Sequence, residues 1–319
     1  MKLKDAWYAT PGPENARQAA LLAAKGFCMG VADIIPGVSG GTIAFITNIY
    51  DQLMDAIRSF GAEALGRLLR LDASGFVARV HLRFLLPLLA GLLLALAGMA
   101  RIMHTLLTDY PVQVWALFFG LIAASILVVG RRVGRLTFRN ALAGILGAAG
   151  SYLLVGMIPV STPETPLFLF FCGALAICAM ILPGISGAYI LLLLGKYEYM
   201  TGALKAPFSD GNPLTILVFA CGALLGLMSF SRILHWFLTR HHAIAVSLLT
   251  GFMAGAMRKV WPWKEVLESR IVGAREIVIR EQNVLPGSMD GGFWFAVALI
   301  LVGFLLVLAL ERLSGNESS

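Results

Sequence analysis

The sequence predicts an all-α integral membrane protein of two inverted-topology repeats, each a re-entrant helical hairpin plus two transmembrane helices. One transmembrane helix joins them, and a further C-terminal transmembrane helix follows. Three observations predict it. The 319 residues are 58% apolar and 13% charged, with a mean hydropathy of +0.81, whereas a water-facing surface needs about twice that charge. One motif occurs twice, Ile35-Pro36-Gly37-Val38-Ser39-Gly40-Gly41 returning 147 positions later as Leu182-Pro183-Gly184-Ile185-Ser186-Gly187-Ala188. Six apolar runs are long enough to cross roughly 30 Å of hydrocarbon. Repetition within apolar sequence points to a transporter architecture.

The elements follow in order. The first twenty residues hold Lys2, Lys4, Asp5, Glu14 and Arg17 without an apolar run, so no cleavable signal peptide is expected. The first hairpin is placed at 18–56, where Pro-Gly-x-Ser-Gly interrupts an apolar run. Proline removes an amide donor and glycine permits a tight turn, so Pro36 and Gly37 mark the tip. The charged stretch 58–80 reads as an inserted cytoplasmic loop, and spans at 84–107 and 112–130 complete a first repeat of about 18–130. A linking span covers 140–160. The second repeat, about 167–257, has its hairpin at 167–196 with Pro183 and Gly184 at the tip, then spans at 213–238 and 243–257. An outer loop, 258–292, precedes the last span at 293–310. Unwound backbone in a bilayer must be covered by protein or line a wet cavity, which places both tips inside the protein near mid-membrane.

The duplication exceeds the motif. Ile43, Tyr50, Asp51 and Ala56 are answered by Ile190, Tyr197, Glu198 and Ala203. A second block matches at an offset of 131: Gly91, Arg101, Ile102, His104 and Thr108 are answered by Gly222, Arg232, Ile233, His235 and Thr239. The change of offset means that the first copy carries sixteen extra residues, within the charged stretch.

Charge sets the orientation. With the N-terminus, 57–83, Arg131, Arg132, Arg135, Arg139, Arg240 and Arg312 inside, fifteen Lys/Arg face the cytoplasm against eight outside. Both termini are then cytoplasmic, and Trp261, Trp263 and Trp294 anchor the outer interface. One hairpin and two crossings return to the same side, so the single linking span inverts the second repeat. If 18–56 were instead one kinked crossing, everything downstream would reverse. The net charge of +7 comes without a basic face interleaved with aromatics, so no nucleic acid is expected. Cys28, Cys172, Cys178 and Cys221 stand singly in apolar stretches and read as small hydrophobes.

The run from Gly30 through Val31, Ala32, Asp33, Ile34 and the first motif to Thr42, the following Tyr50-Asp51, and Met180-Ile181 with the second motif resemble the bacterial polyprenyl-phosphate transporter family, PopT. The resemblance covers about residues 20–310. It implies a flippase that returns undecaprenyl phosphate, a lipid carrier of cell-wall synthesis, across the bacterial cytoplasmic (inner) membrane. A non-enzymatic role, polyprenyl phosphate and membrane lipids as partners, and no cofactor go with it; a homodimer is left open. The second copy departs from the first in having Ala188-Tyr189 where the first has Gly41-Thr42.

A lipid monophosphate needs amide donors, hydroxyls and a cation. Backbone amides around Gly40, Gly41, Thr42 and Gly187 offer anion nests at helix starts, and Ser39 and Ser186 add hydroxyls. The bland alternative is that these small residues only turn the chain and pack. Arg101 and Arg232 are the sharper candidates, because arginine within a span is costly and its fork holds phosphate bidentately; snorkelling to the interface is the alternative. His104 and His235 lie one turn on from the arginines and are candidates for proton coupling, as is Asp33, which equally suits capping the hairpin. Gly91, Leu94, Gly98, Gly222, Leu225 and Ser229 line a candidate path for the tail, although packing explains them too.

Two other functions compete. A small-anion carrier or channel shares the repeat and the nests. A polyprenyl-pyrophosphate phosphatase would use Ser231, Arg232 and His235, but their spacing is too short and no companion basic motif stands upstream. Metal-ligand clusters and nucleotide loops are absent from the sequence.

Overall fold

A computed structural model of the protein describes residues 2–34, 39–135, 137–160, 162–209, 211–272 and 275–315. Pro36 and Gly37 therefore lie outside the described residues. The described chain is mostly helical. A short α1 (Leu3–Tyr8) leads to α2 (Ala16–Ile34). Ser39, in extended backbone, caps α3 (Gly40–Ile46), and α4 (Tyr50–Arg58) follows. The insertion expected as a loop holds two short helices, α5 (Ala62–Leu69) and α6 (Ala73–Arg79), the latter capped by Asp72 accepting from the Gly75 amide at 2.8 Å. Helices of eight and seven residues are shorter than the window in which hydrophobic periodicity can be read.

Then come α7 (Leu82–Asp109), α8 (Pro111–Arg131) and α9 (Phe138–Val155). The second half comprises α10 (Pro166–Ile181), α11 (Gly187–Leu193), α12 (Tyr197–Lys205), α13 (Asn212–Arg240), α14 (His242–Val260) and α15 (Gly291–Gly315). Between α10 and α11 the chain leaves the helix: Leu182 is extended, and Gly184 has φ +88°, a conformation that side chains other than glycine's resist. At the motif's offset of 147, α3 and α4 map onto α11 and α12 without a shift in either boundary.

Among the described residues six helices, α7, α8, α9, α13, α14 and α15, are long and apolar enough to cross a membrane. Half of the span residues of α8 and α14 are buried, against 17–33% in the other four, so α8 and α14 form the centre. Leu93, Leu146, Leu217 and Leu305 on the outer helices are exposed, as side chains facing hydrocarbon are. Neighbours pair as α2 with α7, α10 with α13, α9 with α14 and α15 with α8, while α3 packs back on α2 and α11 on α10.

Glycine sets these seams. A Cβ at Gly91 would run into the Ala23 carbonyl, and one at Gly26 into that of Leu88; their counterparts Gly222 and Gly173 stand in the same way against the carbonyls of Phe170 and Phe219. Gly120 abuts the Ile300 carbonyl and Gly303 that of Leu117, just as Gly251 abuts Gly144 and Gly147 abuts Leu248. Equivalent contacts thus relate α7 to α13, α8 to α14 and, through exchanged partners, α9 to α15.

Between α14 and α15 the segment expected as a loop forms an antiparallel ribbon, β1 (Lys264–Val272) and β2 (Arg275–Asn283), with Lys264 opposite Asn283. Its β-branched Ile271, Val272, Ile277, Val278 and Ile279 favour strands. The ribbon marks one end of the bundle: α14 runs toward it and α15 away, and α9 runs toward it and α8 away. Trp261, Trp263, Phe293 and Trp294 form a chain of ring contacts there, with centroids 5.2–5.7 Å apart.

Gly251→Leu should push α14 off α9 and lower the melting temperature in detergent, by the equivalent of about 1–3 kcal/mol or more. Gly150→Leu, at an open position on α9 with nothing within 4 Å of its Cβ site, should leave it unchanged or higher.

Candidate functional site

The two motifs meet. The Ser39 hydroxyl donates to the Met180 carbonyl at 3.1 Å and accepts from the Gly41 amide at 3.1 Å. Thr42 Oγ1 accepts from the Gly184 amide at 3.0 Å, and the Tyr50 hydroxyl donates to the Ile181 carbonyl at 3.1 Å. A Cβ at Gly41 would lie 2.7 Å from that same Ile181 carbonyl, so the first tip presses on the second at a place where only glycine fits. The Gly40 amide donates to Asp33 Oδ1 at 2.7 Å and the Thr42 amide to the Ser39 carbonyl at 2.9 Å. Among the described residues the Ser39 hydroxyl and the Gly40, Gly41 and Thr42 amides are thus engaged within the protein in this conformation, and Asp33 joins Ser39 in satisfying the start of α3. At the second tip Ser186 is buried and caps α11 without a side-chain hydrogen bond, Pro183 is buried, and Gly187 packs on the Ala176 carbonyl.

The arginines lie apart from the tips, one toward each end of the bundle. Arg101 is exposed near the ribbon end of α7 and has no hydrogen-bond or ion-pair partner among the described residues. Arg232 is exposed toward the opposite end of α13, donates to the Met228 carbonyl at 3.0 Å, and reaches toward Gly61 at the start of α5. His235 Nδ1 lies 3.1 Å from Asp55, which ties α13 to α4. The side chain of His104 lies outside the described residues. Gly91 and Gly222 pack closely against the carbonyls of neighbouring helices, and Leu94 and Leu225 are exposed.

At the ribbon end the structure opens a cavity of about 700 Å³. Arg258, Lys259 and Arg280 line it with Glu281, Tyr152 and Tyr189; Phe119, Val155, Met157, Ile158 and Leu192 make the apolar part. Each side chain is placed by an identifiable element. Arg258 and Lys259 are the last turn of α14. Arg258 lies 4.4 Å from the Tyr152 ring centroid and donates to the Tyr152 carbonyl at 3.2 Å. Tyr189, two residues past the second tip's Gly187, donates to the Val155 carbonyl at 2.7 Å. The wall after α9 is pinned to the end of α11 and the turn that follows it by the Val160 amide on the Leu193 carbonyl (2.9 Å) and by buried Lys196 on the Thr162 carbonyl (2.7 Å). At the other end Phe45, the counterpart of Leu192, borders a space of only about 20 Å³, across which Arg132 donates to Asn48 at 3.0 Å.

The ribbon is held at the cavity by charge. Glu281 Oε1 accepts from Lys259 at 2.7 Å and from Lys264 at 3.1 Å. Burial pushes the Lys264 ammonium down to about 8, with Lys259 adding to the effect and Glu281 opposing it. Burial alone would push the Glu281 carboxyl up; Lys264 and Lys259 outweigh it and hold the carboxyl below its ordinary value. Sequence reading missed this cluster because it treated Arg258, Lys259 and Arg280 only as topogenic charges. The available signal was an Arg-Lys pair closing an apolar helix; what brings Arg280 and Glu281 beside it is strand pairing.

Thr42→Val leaves the buried Gly184 amide without its acceptor and should cost about 1–3 kcal/mol, more than Tyr50→Phe at about 1 kcal/mol, measured by chemical denaturation in micelles. Because the folded carboxyl of Glu281 lies below the ordinary 4.5, its stabilisation is complete above that pH and is lost as pH falls through the folded value. Hydrogen exchange at the base of the ribbon should therefore accelerate in acid beyond the intrinsic change, and Glu281→Gln should show the faster exchange already at neutral pH.

A family model described as "VCA0040-like: Undecaprenyl phosphate translocase-like" matches residues 29–277. The chain is 38% identical over 295 residues, 90% of its length and 94% of the relative's, to a Vibrio cholerae (serotype O1, El Tor Inaba N16961) protein named polyprenyl-phosphate transporter. It is 29% identical over 313 residues, 92% of its length and 96% of the relative's, to a Staphylococcus aureus (NCTC 8325) protein of the same name. No solved structure matches. With most of its length matched, the chain belongs to the undecaprenyl phosphate translocase-like family.

Proposed function

We propose that the protein carries a polyprenyl monophosphate of the undecaprenyl phosphate type between the leaflets of the bacterial cytoplasmic membrane, and that the ribbon-end cavity receives its phosphate. The observation that carries this reading is the cavity's composition: cations at one side, apolar side chains at the other, beside the second motif. Arg258, Lys259 and Arg280 hold the phosphate, Arg258 as a fork and Lys259 as a point charge. A volume of about 700 Å³ suits a drug-sized ligand. It therefore takes the headgroup and the first isoprene units, while the rest of the chain stays in lipid.

Alternating access between inverted repeats supplies the mechanism. Opposite directions of α8 and α14, and of α9 and α15, support the inversion, and so do the matching glycine seams. The packing of α3 on α2 and α11 on α10 supports two re-entrant hairpins. An open cavity at one end and a nearly closed space at the other correspond to one half of the cycle. The braced tips form the fulcrum. The ribbon end faces outward, because Arg131, Arg132, Arg135, Arg139, Arg240 and Arg312 lie at the other end, and both termini are cytoplasmic. Arg101 and Arg232 meet the phosphate at the outer and inner leaflets respectively. Asp33 and His235, engaged with Gly40 and Asp55, serve the architecture rather than proton transfer.

The test is protein-dependent movement of fluorescent undecaprenyl phosphate in proteoliposomes. Arg258→Gln and Lys259→Gln should each slow it by about tenfold or more, the loss of one charge-assisted contact; Arg101→Gln and Arg232→Gln should slow it while the folded protein remains. No movement by the folded wild type would favour the small-anion carrier.

A further inference from the structure

The cavity holds one carboxylate among its cations, and the two lysines that pair with it are not equivalent. Lys264 is 8% exposed, donates to the Lys259 carbonyl at 2.5 Å as well as to Glu281, and lies 3.9 Å from the Trp115 ring centroid. Lys259 is 17% exposed, and among the described residues Glu281 is the sole hydrogen-bond acceptor of its ammonium, which otherwise lies 5.3 Å from the Tyr189 ring centroid. Glu281 can therefore lose Lys259 and keep Lys264. That matters because a partly buried carboxylate stripped of every partner is costly. Lys259, at the end of α14 and facing the cavity, is free to turn to another anion.

We propose that Glu281 is an internal placeholder for the substrate's phosphate, holding Lys259 while the cavity is empty and yielding it to an incoming phosphomonoester. The proposal rests on the reading of this cavity as the phosphate site. It gives Glu281 a role in selectivity. A phosphomonoester carries about −1.5 to −2 near neutral pH, so it outcompetes a single carboxylate. The phosphodiester of an ordinary membrane lipid has one negative charge, no more than Glu281 itself. A site that must find a scarce monoester among abundant diesters gains discrimination from a competitor of that strength, because specificity is a difference of affinities.

The experiment is calorimetric titration of the full chain in detergent with geranyl phosphate, a short prenyl monophosphate, and separately with dihexanoyl phosphatidylglycerol. Glu281→Gln should bind geranyl phosphate roughly three- to tenfold more tightly and gain proportionally more for the diester. In a Lys259→Gln background the same change should have no effect, since the coupling runs through that pair. Glu281→Asp keeps the charge at the ribbon and withdraws it from Lys259; it should give an intermediate gain, and it decides the matter if the Gln variant loosens the ribbon. Unchanged or weaker binding by both variants, or a gain that persists without Lys259, overturns the placeholder. If Arg258→Gln and Lys259→Gln also leave wild-type affinity untouched, the cavity is not the phosphate site and the proposed function falls with it; if they weaken binding, only the placeholder is lost.

Discussion

The hydrogen bonds between the two motif tips are the constraint around which the rest is arranged. The backbone leaves helical geometry at Ser39 and at Leu182–Gly184, inside a bundle whose outer faces are leucine-rich, and freed amides and carbonyls in such a setting need protein partners. The first tip supplies side chains and the second supplies backbone. Ser39, Thr42 and Tyr50 answer Met180, Gly184 and Ile181. This accounts for a difference between the copies that duplication alone leaves open: the donors and acceptor sit in the first copy, while in the second Ala188 is exposed and buried Tyr189 bonds to the Val155 carbonyl. Tyr189 carries that asymmetry to the cavity, where its ring faces Lys259.

Around this centre the helices are drawn together by missing side chains. Carbonyl groups of one helix lie against glycines of the next at each of the four outer seams, which allows backbone approach without a hydrophobic driving force. The pattern is a physical counterpart of the sequence repeat, and it is more informative. Matching letters relate Gly91 to Gly222, but matching contacts also relate α9 to α15.

Much of the architecture was legible because bilayers impose strong rules on composition. Long apolar runs have one dominant physical meaning, and six of them are the helices α7, α8, α9, α13, α14 and α15. The short helices α5 and α6 escaped, being too brief for periodicity, and the ribbon escaped because its charged strands resemble a soluble loop. The site was the least legible part. Ser39 and Thr42 have the chemistry of phosphate ligands, yet tertiary partners consume their capacity; the cavity's cations come from a helix end and a strand more than twenty residues apart, and only folding places them together. Arg101 and Arg232 were found by their cost in a span, a local signal that says nothing about which neighbours they meet.

The exchange of α9 and α15 bears on how the chain is made. Synthesis delivers α8 long before α15, so the glycine-lined face of a central helix stays uncovered until the last span leaves the ribosome. The first half can hold its place in the bilayer, but it cannot close on itself. Its cover is the later helix α15. The seam between α8 and α15 therefore closes after the other three, and a nascent chain stalled before Gly291 leaves Gly120 without its cover.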